Sequence, residues 1–366
     1  MSPTMKEALV SKGTQVEIVD SPIPNPNENQ VLIKVVVSGS NPKDWKLPEW
    51  FGGSTNQGDD IAGIVEKVGA NVFEFKPGDR VAAFHEMRTS GGSYAEYAIA
   101  WQHTTFHIPE SVSFEGSSPS PPGRAAAIPL AAMTAAVGLY LRLGLPQPWT
   151  PATTQTQTQT QTQTPLIIYG AASAVGIYAV QLARRSNIHP ILCVAGRASD
   201  YVAGFLDPSK GDAVIDYRQG DEAVVAGLVR ALDGRPPVAH VLDAVSEKSS
   251  VPNVVEVLKR AGARDARGKL SAKVTFVLGV EQDLPEGVDK TLTMVGTVHN
   301  EAKDFGYVYF RYFAKGLQEG WFKPQRTEVV PGGLGGIQTA LLNLKGGKAS
   351  AVKYVFRIAE TEGVQR

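Results

Sequence analysis

A run of small residues follows a short apolar segment in the middle of the chain. The apolar segment 166–169 is typical of a buried strand, and a helical pattern begins after the run and continues to Arg185. Small side chains at such a turn let the backbone approach a pyrophosphate, which the amides at the helix start can bind. Ordinary strand–helix packing is the alternative, because Gly176 is the only one of the three glycines of the usual dinucleotide-binding fingerprint that is present here. The candidate pyrophosphate residues are Ala172, Ser173, Ala174, Val175 and Gly176.

The residues after the next apolar run indicate which dinucleotide would bind. About 20 residues past the last glycine, an NAD-specific site places an acidic side chain against the ribose 2′-hydroxyl. Here the chain has Gly196, Arg197 and Ser199, with no carboxylate before Asp200. An arginine and a hydroxyl would bind a 2′-phosphate through charge-assisted hydrogen bonds. These three residues therefore predict NADPH as the cofactor, unless Arg197 is only a solvated loop residue.

The cysteine and histidine content argues against a metal site. The single cysteine, Cys193, excludes an internal disulfide framework and a cysteine-rich zinc cluster. His103 and His107 have the spacing of ligands on one helix face, but the sequence around His107 is typical of a strand or loop. We therefore predict no metal, and the cysteine usage fits a reducing compartment such as the cytoplasm.

Length and charge exclude several classes of protein. The 366 residues are enough for two domains, and 36 basic residues balance 36 acidic ones. A chain without net charge has no long-range field to attract nucleic acid or an anionic membrane, so neither is a predicted partner. The uncharged stretch 125–141 is rich in alanine and predicts a buried helix rather than a membrane span. No signal-peptide pattern is visible at the start of the sequence.

The hydrophobic patterns predict an α/β protein with two domains. Up to about residue 110, short β-rich runs alternate with turn residues, which favours a partly open β-barrel. After Pro165, strands and helices alternate as in a doubly wound parallel sheet. Residues 1–135 and 305–366 are predicted to form the first domain, and residues 136–304 the second. A threonine–glutamine repeat flanked by prolines makes residues 146–165 a predicted low-complexity surface insertion.

Several motifs follow one another over nearly the whole chain: Asn41-Pro42-Lys43-Asp44-Trp45-Lys46, residues 58–65, 75–81, 91–97, 128–135, 331–336 and 347–353. Their order resembles the medium-chain dehydrogenase/reductase superfamily, specifically its zinc-free quinone reductase and enoyl reductase branches. The last two motifs look closest to fungal trans-acting enoyl reductases that partner polyketide synthases. The resemblance implies a GroES-like partly open barrel as the catalytic domain and a Rossmann domain that binds NADPH.

The resemblance also implies a reaction. Zinc-dependent members need cysteine and histidine ligands that this sequence lacks, and Asp59-Asp60 replace their His-Glu pair. Without a Lewis acid, an activated double bond is easier to reduce than a simple ketone. Hydride would reach the β-carbon of an enone or enoyl thioester, charge would build on the carbonyl oxygen, and a proton would reach the α-carbon.

Site residues follow from the resemblance position by position. Lys46 would stabilise the enolate or donate the proton, and Thr134 would orient the substrate; the alternatives are a surface lysine and a hydroxyl bonded to its own helix. Residues 205–212, which precede Tyr217, depart from the family pattern. The implied cofactor residues are Asp44, Tyr217, Leu278, Gly279, Ala349, Ser350 and Lys353. The implied substrate residues are Gly296, Thr297, Val298 and His299.

Three functions remain open at this point. The first is an NADPH-dependent trans-acting enoyl reductase in polyketide or secondary-metabolite biosynthesis, with a carrier-bound enoyl substrate and a synthase partner. The second is a stand-alone quinone or alkenal reductase acting on a small molecule. The third is a non-catalytic NADPH-binding protein. The resemblance is compatible with a monomer or a homodimer. A basic loop with Arg260, Arg264, Arg267 and Lys269 would either dock an acidic carrier or be solvated.

Overall fold

The computed structural model describes residues 3–114, 124–150 and 163–364. Within these ranges the strands are β1 (Thr4–Ser11), β2 (Gln15–Pro22), β3 (Gln30–Gly39), β4 (Ser54–Thr55), β5 (Asp60–Val68), β6 (Arg80–Phe84), β7 (Tyr97–Trp101), β8 (Thr105–His107), β9 (Leu166–Tyr169), β10 (Ile191–Ala195), β11 (Ala213–Asp216), β12 (His240–Asp243), β13 (Ala272–Phe276), β14 (Val288–Leu292), β15 (Thr327–Val329) and β16 (Lys353–Arg357). The α-helices are α1 (Lys43–Phe51), α2 (Pro129–Ala136), α3 (Ala174–Arg185), α4 (Ser199–Ala203), α5 (Asp221–Ala231), α6 (Ser250–Ala261), α7 (Lys303–Glu319) and α8 (Ile337–Lys345).

The chain divides into two compact units. The first contains Met1–Met133 and Val295–Arg366, and the second Thr134–Met294. The predicted boundaries lay at residues 135 and 305. The second boundary comes ten residues earlier because the 3-10 turn Val295–His299 packs on the first unit, where His299 Nε2 lies 3.3 Å from the Phe84 carbonyl oxygen.

The first unit is built on a mixed sheet in which β3 is the central strand. The order is β15-β16-β3-β5-β6-β8, and β7 also pairs with β3. Strands β2, β1 and β4 form a separate, small antiparallel sheet in the same unit. Ala8 and Val10 are two residues apart on β1, and both are buried in the core, as expected of a strand that has one face toward the core. The β-rich first domain predicted from the sequence is confirmed.

The register of the first sheet brings three distant chain segments together. Gly39 at the end of β3 pairs with Asp60 at the start of β5 and with Val355 of β16. Asp60 also pairs with Phe84, the last residue of β6. Residues just outside these strand ends are therefore neighbours although they are far apart in sequence. One of them is Asn41, which begins the turn into α1.

The second unit is a six-stranded parallel sheet of order β11-β10-β9-β12-β13-β14. In chain order this is the doubly wound arrangement 3-2-1-4-5-6, in which ligands bind at the carboxyl ends of the strands where the order reverses. Its core joins apolar strand residues such as Ile167 and Val241 with the buried faces of α5 and α6. The parallel, doubly wound sheet predicted from the sequence is confirmed, and β9, β10, β11 and β12 match the predicted strands.

The stretch after β13 does not form one continuous strand: β14 ends at Leu292, and Val295–His299 form a 3-10 turn. The stretch Arg124–Arg142 is helical and apolar enough to cross a membrane, but 89% of its most apolar part is buried inside the protein. It is therefore a core helix, as the sequence predicts. Most of the threonine–glutamine repeat, residues 151–162, lies outside the described residues.

Candidate functional site

In the second unit, the turn from β9 into α3 forms a tight backbone cradle. Gly170 has φ +74°, a conformation that favours glycine, and its amide donates to the Val194 carbonyl at 3.0 Å. Ser173 is the N-cap of α3, and its hydroxyl accepts a hydrogen bond from the Gly176 amide at 3.0 Å. A Cβ at Gly176 would lie 2.6 Å from the Cα of Ala171, so only glycine allows this approach.

The next strand end supplies a second glycine-dependent contact. A Cβ at Gly196, directly after β10, would lie 2.5 to 2.9 Å from the ring of Tyr217, whose side chain is 51% exposed. Tyr217 directly follows β11, and the irregular segment before β11 leaves its ring beside Gly196. Arg197 is exposed, and the Ser199 hydroxyl donates to the Gly196 carbonyl at 2.7 Å. The flat ring beside a bare backbone is suited to hold an adenosine moiety.

The remaining strand ends complete this edge of the sheet. Leu278 and Gly279 follow β13, and a Cβ at Gly279 would meet no atom within 4 Å, so open space adjoins it. Asp243 ends β12, and one carboxylate oxygen accepts from the amides of Val245 and Ser246 at 2.8 Å each. Burial raises the pKa of Asp243. Together with the β9 turn, these strand ends fit a dinucleotide, because backbone amides and bare glycines meet at one edge.

The first unit contains a buried ionic cluster at the start of α1. The Lys43 ammonium lies 2.9 Å from the Asp44 carboxylate and 2.6 Å from that of Asp59. The other Asp44 oxygen accepts from the Tyr94 hydroxyl at 2.6 Å and from the Asn41 amide at 2.7 Å. This last bond ties the turn that precedes α1 to the first turn of the helix, so Asp44 connects both to the cluster.

A second buried pair extends the cluster across the sheet. The Lys353 ammonium donates to Asp60 and, at 3.0 Å, to the side-chain oxygen of Asn41. Asn41 in turn donates to Asp60 at 2.7 Å, and the other Asp60 oxygen accepts from the Leu130 amide at 2.7 Å. The side chains of Lys353 and Asp60 are 3% and 0% exposed. All hydrogen-bonding groups of Asp60 are thus engaged, as a buried charge requires.

The electrostatics of this cluster follow from its charges. Three carboxyl groups (Asp44, Asp59 and Asp60) face two ammonium groups (Lys43 and Lys353) in a buried region. Burial raises the pKa of Asp59 to about 7; Asp44 and Asp60 add to the rise, and Lys43 opposes it. Burial would lower the pKa of Lys43, but Asp44 and Asp59 outweigh it and hold that pKa above its ordinary value. Burial also raises the pKa of Tyr94.

Lys46 lies one turn along α1 from Lys43. Its side chain is 8% exposed, so it is not an ordinary surface lysine. The ammonium lies 5.5 Å from the centre of the Trp45 ring and 5.9 Å from that of Trp50. Aromatic faces attract a cation and exclude water from it. The cluster at the helix start holds α1, and α1 in turn positions Lys46.

The predicted substrate residues lie in the turn after the second unit. Thr297, Val298 and His299 are buried, and Gly296 is close to the Met87 side chain, which would lie 3.2 Å from a Cβ there. The His299 ring packs against Phe84, with 4.7 Å between ring centres. Burial lowers the pKa of His299 to about 3, so this imidazole is neutral at physiological pH.

The other predicted residues are placed as follows. Thr134 is 5% exposed and lies within α2, while Ala349 and Ser350 are partly buried between α8 and β16. Ala351, next to them, has φ +52°, which is unusual for a residue with a side chain. The structure thus places Asp44 and Lys353 in one cluster, whereas Ala349 and Ser350 lie in the loop that leads to Lys353.

Histidine and cysteine side chains have other roles here. His103 Nε2 lies 3.0 Å from the Val298 carbonyl, and His107 Nε2 lies 3.2 Å from Asp79. Cys193 is buried in β10, and burial raises the pKa of its thiol. Among residues 3–114, 124–150 and 163–364, no group of three or more histidine, cysteine, aspartate or glutamate side chains is placed to hold a metal ion.

Four residues of the buried ionic cluster were not predicted as site residues: Lys43, Asp59, Asp60 and Tyr94. Asp59 and Asp60 stood out in the sequence only as a replacement for a zinc-ligand motif. The available signal was a pair of carboxylates directly before the apolar run Ile61–Ala62, where charged residues would be buried. Asp243 had a similar signal, since it ends a predicted buried strand.

Comparison with known proteins gives the family. Residues 27–110, which include β3 to β8, match the alcohol dehydrogenase GroES-like domain family. A trans-enoyl reductase of Gibberella fujikuroi is 46% identical over 333 residues, covering 90% of this chain and 91% of that protein. A trans-enoyl reductase of Aspergillus sclerotiorum is 29% identical over 384 residues, covering 96% of this chain and 100% of the relative.

A solved structure confirms the fold. The quinone oxidoreductase of Coxiella burnetii superimposes with a TM-score of 0.69 at 20% identity, covering 97% of this chain and 99% of that one. This similarity concerns the fold alone, whereas the sequence identity to the Gibberella fujikuroi enzyme extends over nearly the full length of both chains. The protein therefore belongs to the trans-enoyl reductases, a zinc-free branch of the medium-chain dehydrogenase/reductase superfamily.

Proposed function

We propose that this enzyme uses NADPH to reduce the double bond of an enoyl thioester carried by a polyketide synthase in the cytoplasm. Family membership supports an oxidoreductase of the enoyl reductase type with a nicotinamide cofactor. Both relatives are trans-enoyl reductases, which favours a carrier-bound substrate and a synthase partner over a free quinone.

NADPH is proposed from the residues after β10. Arg197 is exposed and Ser199 is partly buried beside Gly196, and the strand end has no carboxylate before Asp200. Asp216, the acid at the end of the next strand, is occupied by Arg218, whose guanidinium lies 2.5 Å from it. A 2′-phosphate would therefore meet a cation and a hydroxyl rather than a free carboxylate. Gly170, Gly176 and the start of α3 would hold the pyrophosphate.

Lys46 carries the proposed chemistry. When bound, the reduced nicotinamide supplies a hydride to the β-carbon. The Lys46 ammonium would donate a hydrogen bond to the thioester oxygen as negative charge builds there. The same ammonium would then transfer a proton to the α-carbon of the enolate and be left as a neutral amine. The rings of Trp45 and Trp50 shield the ammonium from water, which strengthens its interaction with developing charge.

Two further residues have secondary roles in this proposal. The Thr134 hydroxyl would orient the substrate, because its high pKa prevents it from acting as an acid near neutral pH. His299 is neutral at this pH, so it would contribute to the wall of the substrate site rather than supply a proton as a cation. Lys46 therefore remains the proposed proton donor.

The test is the loss of NADPH absorbance with crotonyl-pantetheine, a simple quinone and a simple ketone, with NADH in parallel. We expect NADPH to be consumed with the thioester and not with the ketone. Lys46→Met should lower kcat about 10²–10⁴-fold while NADPH still binds. Lys67→Met, which changes an exposed lysine of the same unit, is the matched control.

Each alternative has its own outcome. Turnover with quinone alone would identify a stand-alone reductase instead. NADPH binding without turnover of any substrate would favour a non-catalytic protein. An active Lys46→Met variant would rule out the proposed role of this lysine while leaving the enoyl reductase assignment intact.

A further inference from the structure

The end of α1 exposes two adjacent aromatic rings. Trp50 is 57% exposed and Phe51 is 66% exposed, with ring centres 6.4 Å apart and nearly perpendicular. Gly52 and Gly53 follow with φ of +70° and +84°, and a Cβ at either would meet no atom within 4 Å. The rings therefore border open space. Neighbouring exposed rings of this size mark interaction sites more often than isolated apolar residues do.

A cation lies at each end of this aromatic pair. The Lys46 ammonium is 5.9 Å from the centre of the Trp50 ring, and the Arg88 guanidinium carbon is 5.2 Å from that of Phe51. We call Lys46, Trp50, Phe51 and Arg88 the aromatic ledge. Its contacts run from the lysine that carries the proposed chemistry, across two rings, to an exposed arginine.

Arg88 is held in an unusual backbone conformation. Its φ of +67° lies in the left-handed region, which is costly for a residue with a long side chain. The turn that contains it is closed by the Thr89 amide and hydroxyl, which both donate to the Glu86 carbonyl, at 3.3 and 2.8 Å. A fixed turn therefore presents the guanidinium beside Phe51.

We propose that the aromatic ledge binds the phosphopantetheine arm of the carrier that delivers the substrate. Such an arm has a phosphodiester at one end, a gem-dimethyl group and amides in its middle, and the thioester at the other end. The ledge offers matching groups in the same order: the Arg88 cation, the two rings, and Lys46. Arginine binds phosphate well, and the rings suit the apolar middle of the arm. This inference rests on the proposed function, because it assigns the thioester to Lys46.

The test compares three crotonyl thioesters that differ only in the arm: phosphopantetheine, pantetheine and N-acetylcysteamine. Arg88→Asn removes the charge while asparagine tolerates the left-handed conformation. We expect it to raise KM for the phosphopantetheinyl substrate about tenfold relative to the pantetheinyl one. Phe51→Ala should instead raise KM for both long-armed substrates relative to the N-acetylcysteamine thioester. Phe73→Ala, which removes a ring that is 90% exposed elsewhere in the unit, is the control.

A second measurement does not depend on turnover. Calorimetric titration of the NADPH-loaded enzyme with phosphopantetheine should give an affinity about tenfold weaker in Arg88→Asn than in the wild type or Phe73→Ala. Equal affinities in all three proteins would overturn the ledge assignment. So would a change in KM that is the same for all three thioesters, whatever their arm. Wild-type enzyme that turns over none of the three thioesters but binds phosphopantetheine through Arg88 would contradict the proposed function and support the ledge.

Discussion

The pKa of Asp59 shows how strongly burial and neighbouring charges affect a single carboxyl group. It shares the Lys43 ammonium with Asp44, and Asp60 lies next to it in the chain. One cation between two buried carboxylates cannot fully compensate both. The neutral form of Asp59 therefore persists to about pH 7, which links the stability of the first unit to pH.

The consequence for stability has a definite sign. Asp59 has a pKa of 3.8 when unfolded and about 7 when folded, so the folded state binds its proton more tightly. The resulting stabilisation is complete below pH 3.8 and is lost as pH rises through 7. Asp59→Asn cannot ionise. The free energy of unfolding of this variant should therefore rise relative to wild type between pH 4 and 7, by at most about 1.4 kcal/mol per pH unit.

Urea unfolding at several pH values measures this effect. Asp20→Asn is the matched control, because the Asp20 side chain is 62% exposed and pairs with Lys6 at the surface. Parallel stability curves for wild type and Asp59→Asn over this pH range would show that Asp59 is ionised in the folded protein throughout.

At the scale of elements, the contact between α3 and the β9 turn shapes the backbone cradle that we propose as the pyrophosphate site. Gly176 belongs to the first turn of α3, and its backbone lies against Gly170 and Ala171. Ser173 caps the helix at the same place. The helix start is thus fixed by local bonds and by the absence of a side chain, which leaves its amide end directed toward the cradle.

Gly176→Ala tests this arrangement. The added methyl group would meet backbone atoms that cannot rotate away, so α3 would have to shift. We expect a loss of about 1–3 kcal/mol of stability and weaker NADPH binding. Gly204→Ala is the control, since a Cβ there meets its nearest atom only at 3.5 Å. Thermal unfolding and NADPH fluorescence titration measure the two effects, and unchanged NADPH affinity in Gly176→Ala would contradict the role of the close approach.

At the scale of the whole molecule, the chain forms two cores, and one of them combines segments that are far apart in the sequence. The first unit contains the beginning and the end of the chain, and the second unit contains the middle. Each unit has its own cluster of buried apolar residues. The threonine–glutamine repeat comes before β9 and has no apolar face, so we predict that neither core depends on it.

Replacing residues 153–162 with a short glycine–serine linker tests that prediction. The replacement retains Thr164, whose amide donates to the His189 carbonyl at 2.9 Å. Loop closure depends weakly on length, at about 0.6 kcal/mol for each doubling. We expect the unfolding midpoint and the rate of NADPH oxidation to change little. A variant with an unchanged midpoint but no turnover would show that the repeat takes part in function.

The local patterns of the sequence were sufficient for several strands of the second unit and for the close backbone approach at the β9 turn. Apolar runs of strand length identified β9 and β10, because a parallel strand that is buried on both faces is rich in apolar residues. Shorter apolar runs identified β11 and β12, which also contain Asp216 and Asp243 at their ends. The small residues of 170–176 identified the cradle for a similar reason, since a close backbone approach requires particular residue types. Both signals are local, so they can be read without knowing which strands are neighbours.

The buried ionic cluster was decided by tertiary structure. Asp60 and Lys353 are 293 residues apart in the chain, and the pairing of β3 with β5 and β16 brings their ends together. Nothing in the sequence near either residue indicates the other, because an ion pair imposes no pattern on the intervening chain. The same holds for the Arg88 guanidinium beside Phe51, which depends on how the fold of the first unit places one loop against the end of α1.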